Sequence, residues 1–204
     1  MTTADQVSAG LENLGYFIYA DPTHLQRLKT EIGKGLAEDH YLPYVEGDRP
    51  SYLTLDPRHY ILDNETLFEL GGIVESLEEM APLFAKMKIR MEIADHYEEY
   101  DQETGLDHRI TLNGKPYTIF HQWPGYGWCE AAQRFADIVN DQLKLQGSSE
   151  RFYLIHGSND GRGVFLTPEL HTLIRPLIED INECPQPTRE WSEYAGITWR
   201  NVTD

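Results

Sequence analysis

The sequence predicts a single α+β domain of mixed helices and strands. A mainly antiparallel sheet built around an Asn-Gly hairpin packs against three to five helices. Three observations predict it. Along the 204 residues the apolar positions switch repeatedly between helical spacing and alternation, which marks helices and strands in turn. Asn113-Gly114 separates two strand-like runs, and both residues tolerate the positive φ of a type I′ turn. A hydrophobic content of 40% suffices for one sizeable core. The domain is placed at residues 1–183, with a tail or arm at 184–204.

The elements follow in order. After a first helix, Tyr16–Tyr19 reads as a short strand. Asp21-Pro22 then supplies an N-cap and a first-turn proline for a helix over 22–38, striped by Leu25, Leu28, Ile32 and Leu36. Pro43, Gly47 and Pro50 make 39–50 a loop, and 52–55 a second strand. Ile73, Leu77, Met80, Phe84 and Met87 recur at helical spacing, with Pro82 either kinking that helix or beginning another. Ile89, Met91 and Ile93 alternate with polar neighbours, which predicts a strand. In the hairpin, Leu112 faces Lys115 and Thr111 faces Pro116. A proline there has no N–H to give, so the 115–120 strand is a sheet edge at that point. A helix starts near Trp128 and carries Ala131, Ala132, Phe135, Ile138, Val139 and Leu143 on one side. Residues 151–156 read as a central strand, 163–166 as its return, and Thr167-Pro168-Glu169 as the start of a further helix. Trp191 and Trp199 in the tail look exposed.

Charge bounds the function. Thirty-four acidic residues against 17 basic ones leave a formal charge of −17. Such a surface repels nucleic acid and anionic membranes, and its natural complement is a basic protein. The density peaks at 92–107, where Glu92, Asp95, Glu98, Glu99, Asp101, Glu103 and Asp107 surround Tyr97 and Tyr100 without a lysine or arginine. A block of like charge is either a solvated loop or an interaction surface, and the tyrosines favour the surface. The predicted contact residues are Asp95, Tyr97, Glu98, Glu99, Tyr100, Asp101, Glu103 and Asp107, with Glu46 and Asp48 as rim. A second acidic run, from Asp63 to Glu79, supports the same partner and is in part plain helix surface.

Other constellations of residues carry competing chemistry. Cys129 at a helix start, His156 at a strand end and Asn159 or Asp160 beyond it have the residue types of a thiol hydrolase, although Glu130 opposes thiolate formation. This is the competing enzyme reading. The run 101–107 resembles a calcium loop but puts Gly105 fifth and Leu112 twelfth, where an EF-hand needs glycine sixth and glutamate twelfth. His96, His108 and His121, with Asp95 or Asp107, match no ligand spacing, so no metal site is assigned. The glycine-rich 157–163 lacks the Lys-Ser/Thr ending of a phosphate loop. A third reading makes the aromatic segment 121–128 the wall of a small-ligand pocket. Cys129 and Cys184 form no spaced framework, and the N-terminus lacks the pattern of a signal peptide. No run reaches membrane-spanning length, and these features together predict a cytoplasmic protein.

Two segments, GYGWCEAAQRFADIVNDQLKLQ and FYLIHGSNDGRGVFLTPEL, resemble a pattern of small acidic bacterial immunity proteins in polymorphic toxin systems. The resemblance implies a protein that binds and blocks a cognate toxin and needs no catalytic residue and no cofactor. It does not carry Cys129 over as a functional position. The expectation is therefore an acidic cytoplasmic binding protein that inhibits a basic toxin or effector by covering its active site or surface.

Overall fold

The first sheet is explained by what its alternating residues bury. In the computed structural model, which describes residues 3–47, 54–69, 71–156 and 160–202, β1 (His59–Asp63), β6 (Asp160–Leu166) and β5 (Arg151–Ile155) form an antiparallel sheet with β6 in the middle. Side chains alternate across a strand. Phe152, Leu154 and Phe165 enter one apolar core, while Tyr153, Ile155, Val164 and Leu166 enter a second. Both faces are thus covered, as the apolar composition of 151–155 requires. The second core takes α1 (Ala4–Asn13), α2 (Leu25–Lys34) and α7 (Pro168–Ile174). The first takes α3 (Asn64–Phe68), α4 (Gly72–Glu79), α5 (Ala81–Met87), the long α6 (Trp128–Leu145) and α8 (Thr188–Tyr194).

The second sheet is β2 (Ile93–Asp101), β3 (Gly105–Leu112) and β4 (Lys115–Trp123), all antiparallel in that order. Leu112 pairs with Lys115 and Thr111 with Pro116, as the Asn-Gly turn predicts, and Pro116 lies on an edge strand. Asn113 has φ 51° and Gly114 φ 79°. The turn is also clamped from outside: the Asn113 amide donates to the Arg90 carbonyl and to Gln142 Oε1, both at 2.7 Å. Leu106, Ile110, Leu112, Tyr117 and Ile119 turn inward to the first core, and Phe135, Ile138 and Val139 of α6 join them there. The result is the α+β architecture with a largely antiparallel arrangement, divided between two sheets.

Several local expectations are corrected. Tyr16–Tyr19 is a 3₁₀ turn, entered through Gly15 at φ 79°, and helix α2 begins at Leu25 because the Asp21 carboxylate holds the Thr23 amide and hydroxyl in a turn. That helix closes at 35–39 in a wider π turn that His40 ends at φ 57°. Of the predicted 52–55 strand, 52 and 53 lie outside the described residues, and Thr54 makes an isolated bridge to Glu46. Of the two outcomes expected at Pro82 the second holds, since it begins a new helix, α5. Residues 89–92 are not strand, and the extended segment begins at Ile93 and runs through the acidic block. The strand β5 lies beside the central β6, with a bridge from Leu154 to Gln186 on its other side. The tail packs on the domain: Trp191 is 1% exposed and its indole N–H donates to the His156 carbonyl at 3.0 Å.

Arg58 ties the 3₁₀ turn at Tyr16 to the first sheet. It is 1% exposed and donates to Glu150 (2.8 Å) and to the carbonyls of Tyr16 (2.6 Å), Phe165 (2.9 Å) and Gly15 (3.1 Å). The Tyr16 hydroxyl in turn donates to buried Asp56 at 2.6 Å.

Candidate functional site

The acidic block forms strand β2, an edge strand with no strand on its outer side among the described residues. Every β2 residue except Ile93 and Glu98 is exposed. Alternation divides its side chains between two faces, and a β-bulge sets which face each takes. Ile93 sits opposite Leu112 and Ala94 opposite Thr111, but Tyr97 is the next residue to be paired, opposite Arg109. One extra residue has been inserted, with Asp95 at φ 50°. Continued alternation from Ile93 would turn Asp95, Tyr97 and Glu99 to the core. The bulge reverses the phase.

The outer face therefore carries Tyr97, Glu99, Asp101 and Asp107. Arg109 stacks on the Tyr97 ring at 4.3 Å, and the Tyr97 hydroxyl donates to Glu99, which raises the phenol's pKa. Asp107 pairs with His121 at 2.7 Å, and that hydrogen bond lowers its carboxyl pKa. Asp101 accepts from the amides of Thr104 (2.9 Å) and Glu103 (2.8 Å), which lowers its pKa and closes the β2–β3 turn. Asp95 is exposed at the bulge and Glu103 at the turn tip.

Glu98 and Tyr100 face the other way. Glu98 is only 3% exposed along its side chain, and Oε2 accepts the Gly71 amide at 2.9 Å, at the start of α4. Burial raises its carboxyl pKa, against the pull of that amide. Its cross-strand partner is His108, and His96, two residues back, joins them. The Nε2 atoms of the two histidines are 3.1 Å apart, His96 Nε2 is 3.6 Å from Glu98 Oε2, and His108 Nδ1 is 3.7 Å from Glu98 Oε1. Burial lowers both imidazoles, His108 to about 3, so both are neutral near pH 7 and keep a lone pair to donate. One donor atom from each of the three residues lies within 4.8 Å of the others.

Beside this cluster opens a cleft of about 630 Å³, lined by Phe68, Leu106, Tyr126 and Trp128 with Glu65, Glu69 and Glu98 among its polar groups. Its size is that of a ligand pocket. Tyr126, 83% exposed, stands over it. The segment expected to wall a pocket contributes Gly125, Tyr126 and Trp128 to the cleft wall.

The remaining predicted residues lie elsewhere. Glu46 sits next to Val45, which packs in the second core, and its carbonyl accepts from Arg27 at 3.1 Å. Asp48 and Asn159 are outside the described residues. Cys129 is half-buried at the start of α6, and burial followed by the charge of Glu130 pushes its thiol pKa up. That is the direction opposite to an activated nucleophile. His156 ends β5 at φ 64°, and Asp160 is exposed at the start of β6. Cys129 is expected to resist iodoacetamide at neutral pH until the protein unfolds, as followed by mass spectrometry; fast alkylation of the folded chain would restore the thiol-enzyme reading.

In the sequence His96 and His108 stand out as candidate ligands, whereas Glu98 falls within the predicted outward surface. No recognised motif places the three together, because the cluster depends on cross-strand register and on the bulge. No protein family, curated protein or solved structure matches this chain, and the likeness to immunity proteins rests on the two sequence segments alone. Among the described residues, no helix is long and apolar enough to cross a membrane.

Proposed function

We propose that this chain is a cytoplasmic binding protein that docks a basic protein on strand β2, and that the partner is a cognate toxin or effector whose working surface is covered in the complex. The observation that supports this reading is an edge strand exposed at every residue but Ile93 and Glu98, acidic along its length and without a lysine or arginine. An edge strand offers unpaired N–H and C=O groups to an incoming strand. Negative charge repels a second copy of the same edge and attracts a basic one. Tyr97 and Tyr100 supply apolar contact area, and the neighbouring cleft can take a long apolar or basic side chain under its carboxylates.

Charge complementarity acts mainly on the rate of encounter. Reversing Glu99 and Glu103 to lysine is expected to slow association by about tenfold at low salt and to flatten its salt dependence. Both side chains are solvent-exposed and the turn-capping Asp101 is left intact, so the fold is retained. Stopped-flow or surface-plasmon kinetics against the partner tests this, and unchanged rates would remove β2 from the interface.

A further inference from the structure

We propose that His96, Glu98 and His108 bind one divalent transition-metal ion, zinc by preference, which fastens the bulged edge strand β2 to β3. The inference rests on the geometry of the cluster and is independent of the docking surface. Two imidazoles and one carboxylate form a donor set suited to zinc, whereas calcium and magnesium take oxygen ligands. The 3.1 Å between the two Nε2 atoms is close to the separation of about 3.3 Å expected for two nitrogens bound tetrahedrally to zinc at about 2.0–2.1 Å.

The second observation is what the cluster leaves unmet. Nδ1 of His108 and Oε1 of Glu98 are both buried without a hydrogen-bond partner, on side chains 0% and 3% exposed. A shared proton between the two Nε2 atoms would join the rings but satisfy neither of these atoms. An ion held by both Nε2 atoms does more. It fixes Nδ1 of His108 as the protonated nitrogen, turned towards Oε1 of Glu98 at 3.7 Å, while Oε2 of the same carboxylate, 3.6 Å from His96 Nε2, supplies the third donor. It also neutralises a carboxylate that burial disfavours. His96, 29% exposed along its side chain, provides the way in for the ion.

The test uses full-length, tag-free protein stripped with a chelator, desalted, and titrated with zinc chloride by calorimetry. The expected result is a single saturable site of one equivalent, accompanied by visible d–d bands when cobalt(II) replaces zinc. His96→Ala and Glu98→Gln are each expected to weaken binding by about 100-fold or more, beyond the 10–100-fold typical of losing an outer-shell partner, and to abolish the cobalt bands. Because His96 is partly exposed, its truncation leaves the core intact, as a far-UV spectrum would verify. His121→Ala, whose ring pairs with Asp107 on the opposite face, is expected to bind zinc like the wild type. No saturable heat with the wild type would overturn the site, and so would equal affinity in His96→Ala.

Discussion

Arg58→Ala is expected to destabilise the fold by about 3–5 kcal/mol, the range for breaking a buried ion pair from one side. The substitution leaves Glu150 buried with its charge uncompensated, and it removes the donor from the carbonyls of Gly15, Tyr16 and Phe165. Rings of Tyr16 and Tyr19 lie 5.4 and 4.6 Å from the guanidinium carbon, so packing and cation–π attraction are lost as well. Arg58 stands one residue before β1, which runs directly into α3, whose Glu65 and Phe68 line the cleft. Urea unfolding measures the loss, and a cost below about 1 kcal/mol would mean that the network is dispensable. Removing both charges in Arg58→Met/Glu150→Leu is expected to recover part of the loss, since the uncompensated carboxylate goes too.

Acid should unfold the metal-free protein early. His59 is fully buried, and desolvation followed by the charge of Arg162 lowers its pKa to about 3; His108 is lowered to a similar value by burial and then by His96. In the unfolded chain a histidine titrates near 6.5. Below that pH the unfolded state takes up a proton that the folded state refuses. Stability is thus fully present above about pH 6.5 and is lost as the pH falls towards 3, at up to about 1.4 kcal/mol per pH unit for each histidine. The buried carboxyls of Asp56 and Glu98, whose pKa values burial raises, bind protons in the folded state and push the other way at the acid end. From about pH 7.5 to about pH 5 the expected loss is roughly 2 kcal/mol per histidine. Urea midpoints across that range check the slope, and His59→Gln should reduce it by one proton's worth. A flat profile would show that neither ring is held neutral.

Much of the fold was legible where short-range chemistry decides it. Asn113-Gly114 has essentially one low-strain hairpin turn available, so its register and the edge position of Pro116 followed from the residues themselves. The helix at Trp128 and the Thr167 cap were legible for the same reason, since spacing and a side-chain oxygen suffice. What failed was governed by distant partners. Trp191 looked exposed because nothing local announces the His156 carbonyl that receives its N–H. The Ile89–Met91–Ile93 alternation suggested a strand four residues early, because side chains of Asn113 and Gln146 take up the backbone groups of Arg90 and the Glu92 amide, with one backbone bond, from the Asn113 amide to the Glu92 carbonyl, beside them. The acidic block was read as one surface. A single inserted residue at Asp95 splits it, sending Tyr97, Glu99 and Asp101 outward and Glu98 inward to the histidines. Its alternation past Ile93 carried a clue, because an unbulged strand would have pointed Asp95, Tyr97 and Glu99 at the core.

Hydrogen exchange at the β2 amides, compared between the isolated chain and its complex with the protein captured from the source cells, tests the central claim most directly. Docking on the edge predicts that exchange over residues 95–101 slows in the complex and that the Glu99→Lys/Glu103→Lys chain fails to show the slowing at the same concentration. Unchanged exchange along β2, with protection appearing on another face, would contradict it.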